Sequence, residues 1–115
     1  MREILLKNSR DPLFGLTRAE AITHIRSSLL GRVQEAYLYG SFARDDIGPD
    51  SDIDCIVVAD TGVPFPMRGR LFDDLRDRLP SLEVLVYTRT EFDSLTTEPS
   101  PGFWRSVTKD LVRIL

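Results

Sequence analysis

The segment Gly40-Ser41-Phe42-Ala43-Arg44-Asp45-Asp46-Ile47-Gly48-Pro49-Asp50-Ser51-Asp52-Ile53-Asp54 decides how this chain is read. It joins two predicted strands, residues 33 to 39 and 52 to 59, the second rich in the Ile and Val that favour strands. Successive side chains of a strand point to opposite faces, so Asp52 and Asp54 share one face while Ile53 and Cys55 take the other. Two neighbouring carboxylates repel each other, and a half-buried pair is stable only with a proton or a cation. Mg²⁺ meets that need, because it prefers oxygen ligands and takes one or two carboxylates together with substrate phosphates. The phosphates need a seat of their own. Gly40 allows a turn and a close backbone approach, while the Ser41 hydroxyl and the free N–H groups of the following turn suit phosphate oxygens. Arg44 adds positive charge there. A metal, a phosphate cradle and a carboxylate pair are the equipment of phosphoryl or nucleotidyl transfer.

Outward from this segment, the chain alternates helical and extended patterns, which places it in the α/β (α+β) class. Upstream, Thr17-x-x-Glu20 is a capping-box signature, and Ala21, Ile22, Ile25 and Leu29 recur at helical spacing until Gly31. His24 lies in this helix with no second His or Cys at a metal-ligand spacing, so it reads as a helix residue, not a ligand. Downstream, residues 61 to 66 read as a loop. Leu71, Leu75 and Leu79, four apart, predict an α-helix whose other faces are solvated by Arg70, Asp73, Asp74, Arg76, Asp77 and Arg78. Residues 82 to 87 predict a third strand. Thr88-x-x-Glu91 opens a short helix through Leu95, and a helix from Phe103 carrying Trp104 and Val107 leads to a short strand, 112 to 115.

Glu83 interrupts that apolar third strand. If it pairs beside the second, Glu83 faces the aspartates while Leu82, Val84 and Val86 pack inward, making it the candidate third carboxylate, a base or a ligand for a second ion. Asp45, Asp46 and Asp50 belong to loops, where aspartate favours turns and caps on its own account, and stay outside the catalytic set. Tyr37 and Tyr39 read as packing residues.

Composition limits the alternatives. Hydrophobic residues make up 42% and charged residues 29% of 115, values of a folded globular protein and the size of one domain. A net charge of -3 lacks the basic field that neutralises nucleic-acid phosphates, so no direct nucleic-acid partner is expected. Cys55, the single cysteine, cannot form an internal disulfide and reads as a buried thiol. No apolar run approaches the ~20 residues that span a bilayer. A cytoplasmic protein without a membrane association is expected.

Gly40-Ser41, ten residues, then Asp52-x-Asp54 resembles the signature of the DNA polymerase beta-like nucleotidyltransferase superfamily. Gly40 to Arg44 and Pro49 to Asp54 look most like its minimal nucleotidyltransferases, often encoded beside a HEPN-domain protein. By size a single domain over residues 1–115 is expected, and the resemblance, which covers about residues 17 to 115, implies a mixed central sheet of about four strands with helices packed on it. It also implies Mg²⁺, two ions in such sites, at Asp52, Asp54 and Glu83, with ATP as substrate on Gly40, Ser41 and Arg44. AMP would pass to a hydroxyl, in known members often a tyrosine of a HEPN ribonuclease toxin, making the chain its antitoxin. Two positions depart from the pattern: Asp45 stands where many members have Gly, and Glu83 where Asp is usual. Two other readings remain open, a small-molecule nucleotidyltransferase of the aminoglycoside-modifying kind and a non-catalytic antitoxin that acts by binding. An oligomer is compatible with either.

Overall fold

The computed structural model describes residues 11–99 and 101–115. Its first element, α1 (Arg18–Leu29), starts where the capping box predicts: the Thr17 hydroxyl accepts from the Glu20 N–H at 3.1 Å, and the Glu20 carboxylate accepts from the Thr17 N–H at 2.8 Å. Strand β1 (Glu35–Tyr39) then runs directly into a single turn of helix, α2 (Gly40–Ala43). Strands β2 (Ile53–Val58) and β3 (Leu82–Tyr87) follow, then α3 (Arg89–Thr97), α4 (Phe103–Asp110) and the two-residue β4 (Val112–Arg113). The second predicted box also forms, with Thr88 and Glu91 exchanging bonds of 3.2 and 2.9 Å at the start of α3.

The strands make one mixed sheet in the order β3-β2-β1-β4. Strand β2 is antiparallel to β1 and parallel to β3, and β4 is antiparallel to β1. Side-chain alternation sorts the strands into two faces, and each face buries its own cluster. On one, Ala36, Leu38, Ile53, Cys55, Val57, Leu82 and Val86 pack beneath Ala21, Ile25 and Leu29 of α1 and beneath Phe72, Leu75 and Leu79. On the other, Tyr37, Tyr39, Ile56, Val58, Leu85 and Tyr87 pack against Phe92, Trp104 and Val107 of α3 and α4. Cys55 is fully buried, as read, and its thiol pKa is pushed up to about 12, by burial first and then by Asp54.

One element differs from the sequence reading. Phe65–Asp77 is a 3-10 segment, not an α-helix, with a break at Phe72 (φ −125°, ψ 22°). Pro66 sits in the first turn, where a missing N–H costs no helical bond, and the non-helical backbone at Phe72 is what divides the segment. At three residues per turn the buried stripe shifts: Phe72 and Leu75 go inward while Leu71, predicted as core, is 43% exposed. Among the described residues, no helix is long and apolar enough to cross a membrane.

Candidate active site

The pairing register gathers the carboxylates at one end of the sheet. Asp54 lies opposite Tyr39 on the antiparallel side and opposite Glu83 on the parallel side. Strand alternation puts all three on the face covered by α3 and α4, whose apolar residues seal the far end of that face and leave the acidic end open. Asp52, immediately before β2, is exposed. Glu83 therefore sits beside Asp54 as the sequence predicts, but its carboxylate is 3.8 Å from the Arg76 guanidinium. Among the described residues, no three His, Cys, Asp or Glu side chains converge as a metal-ligand group.

Asp54 is the half-buried centre of the site. Its carboxyl pKa rises to about 6, first because burial penalises the charge and then because Asp52 and Glu83 repel it. The Tyr39 hydroxyl is pushed up as well, by burial and then by Asp54, so it stays neutral beside the carboxylates.

Gly40 closes the other side. Its φ of +73° is a conformation that side-chain-bearing residues rarely adopt, and a Cβ there would stand 2.6 Å from Asp54 Oδ2. Backbone and carboxylate thus approach each other only because the side chain is missing. Ser41 follows in the first turn of α2, where the opening amides have no acceptor within the helix. Gly40, Ser41, Asp52, Asp54 and Glu83 are brought to one region. Arg44 lies at the end of α2, and its guanidinium is paired at 2.6 Å with Asp110 of α4.

Three supporting residues escape a reading by motif. Arg18 donates to the carbonyls of Phe42 and Ala43 and stacks 4.6 Å over the Phe42 ring, pinning α2 to the start of α1. Asp110 holds Arg44, and Arg76 approaches Glu83 to 3.8 Å. Each looks like a surface charge on its own element, and only the distant partner reveals the role. The aspartates left outside the catalytic set behave as turn residues: Asp45 and Asp50 both have left-handed backbone, at φ 57° and 62°. Asp45 occupies the position where the resembling family often has Gly, and this φ supplies the reason. His24 is a half-buried residue of α1, as read. A cavity of about 390 Å³ opens beside it, and none of the predicted site residues lines that cavity.

A mixed sheet that presents a carboxylate pair beside a glycine-serine turn defines a nucleotide-handling transferase. The nucleotidyltransferase domain family model matches residues 20–113, and the chain belongs to that family. The fold is shared with solved structures. A chain in a toxin–antitoxin complex with AMP-PNP superposes with a TM-score of 0.55 at 20% identity, over 87% of this chain and 73% of that one. A chain from the complex of tri-AMPylated Shewanella oneidensis HEPN toxin with MNT antitoxin gives 0.55 at 17%, over 86% and 72%. No curated protein sequence matches the chain.

Proposed function

We propose that the chain moves AMP from ATP onto a tyrosine hydroxyl of a partner HEPN-domain toxin and so acts as its antitoxin. The observation that carries this reading is Asp54, confined between the Gly40 backbone and Glu83, with its charge disfavoured by burial and by two neighbouring acids. Such a carboxylate gains most from a cation. Asp52 and Asp54 fit Mg²⁺ as a pair of hard oxygen ligands, and a bound ion would supply charge neutralisation for the phosphates. Gly40 and Ser41 would seat the phosphates, with Arg44 adding charge. Adjacent strands lie about 4.8 Å apart, so rotating the Glu83 side chain away from Arg76 brings its carboxylate to Asp54. There it would accept the acceptor's proton as the hydroxyl oxygen bonds to the α-phosphorus and the bond to pyrophosphate breaks. The toxin–antitoxin complexes among the structural neighbours, one with AMP-PNP and one with an AMPylated toxin, support the choice of nucleotide and partner.

The Glu83–Arg76 contact favours a second reading, an antitoxin that acts by binding alone. One experiment separates the two. The chain is incubated with labelled ATP, Mg²⁺ and the purified protein encoded by the neighbouring gene. Label is expected on a tyrosine of the partner, and is lost with excess chelator or with Asp52→Ala or Asp54→Ala. An unlabelled partner that is still inhibited in a stable complex would overturn the catalytic reading in favour of binding.

A further inference from the structure

Beside Asp52, at the end of the sheet that carries Glu83, a cavity of about 210 Å³ is walled by Asp11, Phe14, Asp50, Asp52 and Ser81. Phe14 is the unusual member: the residue is 50% exposed, and its backbone is left-handed at φ +51°. The backbone that carries the ring is nevertheless held. The Asp11 carboxylate accepts the N–H groups of Leu13 and Gly15, both at 2.9 Å, and the Ser81 hydroxyl donates to the Pro12 carbonyl. Leu13 and Leu16 on either side pack against the core. An exposed aromatic held this way binds with little loss of freedom.

We infer that this cavity is the acceptor subsite, and that it takes the phenol of a tyrosine in a basic stretch of polypeptide. The inference rests on the transferase reading above, and three observations carry it. Asp52, one member of the carboxylate pair, also lines the cavity, so an occupant lies directly beside that pair. The volume falls below the roughly 300–1,000 Å³ of pockets that enclose a drug-sized molecule, which suits one side chain of a larger acceptor, not a free small-molecule substrate. Phe14 offers a ring face on which a phenol stacks. The carboxylates of Asp11 and Asp52 in the wall repel an acidic acceptor and attract flanking Lys or Arg. The transfer balances as above: the phenol oxygen takes AMP, its proton passes to Glu83, and pyrophosphate leaves.

The test uses blocked tripeptides with tyrosine between two arginines or between two glutamates. They are titrated into the isotope-labelled full chain without nucleotide and then supplied with ATP and Mg²⁺. The basic peptide is expected to bind at least about tenfold more tightly than the acidic one and to shift the amides of residues 11–16 and 50–52. Phe14→Ala should weaken it about tenfold, Phe14→Tyr should retain it, and the affinity for ATP with Mg²⁺ should stay unchanged in both. Equal binding of the two peptides, or parental binding by Phe14→Ala, overturns the subsite. AMP transfer that is indifferent to Phe14 leaves the transferase reading standing and overturns the subsite. Binding as expected with no AMP ever transferred supports the subsite and sinks the transferase reading.

Discussion

Gly40 meets two demands at once, a left-handed φ and clearance for the Asp54 carboxylate 2.6 Å from where a Cβ would be. Gly40→Ala should therefore cost about 1–2 kcal/mol in backbone conformation alone and displace Asp54 besides. Urea denaturation measures the first effect and nucleotide transfer the second. A variant as stable and as active as the parent would mean that the turn relaxes freely. At this scale the sequence was informative wherever chemistry recurs at fixed spacing: Gly40, Ser41, Asp52 and Asp54 are legible because strand alternation and a required turn constrain them locally. Glu83 is legible only conditionally, since its value depends on β3 pairing beside β2 in the observed register. Arg18, Asp110 and Arg76 are not legible. Each acts through a partner on another element, and nothing in a helical or loop pattern marks which surface charge will find one.

Among the described residues, the element hardest to read holds the most buried charge. Arg68 is 7% exposed, and it donates to the carbonyls of Val63 at 2.7 Å and Val86 at 3.3 Å and to the Glu91 carboxylate at 2.6 and 3.2 Å. Glu91 is also the capping residue of α3, so one guanidinium ties the 3-10 segment to the end of β3 and the start of α3. The Arg68 bond is the leading reason that the Glu91 carboxyl titrates below its ordinary range. Arg68→Ala should destabilise the chain by about 2 kcal/mol. That is less than a fully buried broken pair costs, because the Glu91 side chain is 41% exposed and can rehydrate. Denaturant midpoints of the parent and the variant check this, and a change under about 0.5 kcal/mol would show the contact to be incidental. The two capping boxes flanking this region are readable because they are short and self-contained. The segment between Pro64 and Asp77 is not, because a four-residue Leu repeat suggests an α-helix, nothing in the sequence marks the break at Phe72, and the three-residue period changes which side chains turn inward.

Across the whole molecule, apolar clusters close both faces of the sheet while one end carries Asp54 opposite Glu83, with Asp52 just before the strand. Without a cation that arrangement opposes folding. The Asp54 carboxyl has a pKa of about 6 in the folded chain, against an ordinary value of 3.8, so between those values the folded state holds more protons than the unfolded one. The stability linked to this group is present in full below about pH 4 and is lost as pH rises through about 6. Metal-free protein should therefore be penalised at pH 7 relative to pH 5 by the Asp54 term, and Asp54→Asn, which cannot ionise, should remove that part of the slope. The same variant should melt at or above the parent temperature at pH 7 in chelator. A ligand bound only by the folded state stabilises by RT ln(1 + [L]/Kd), about 2.7 kcal/mol at a hundred times Kd. For a domain of this size that is a rise on the order of 10 °C with Mg²⁺ and ATP, and Asp54→Asn should lose most of it. Thermal melts of both proteins at pH 5 and 7, with and without Mg²⁺ and ATP, decide the matter. If Asp54→Asn melts well below the parent in chelator and the ligands shift neither protein, Asp54 is a structural residue, and the cation-binding role assigned to the centre of the site is wrong.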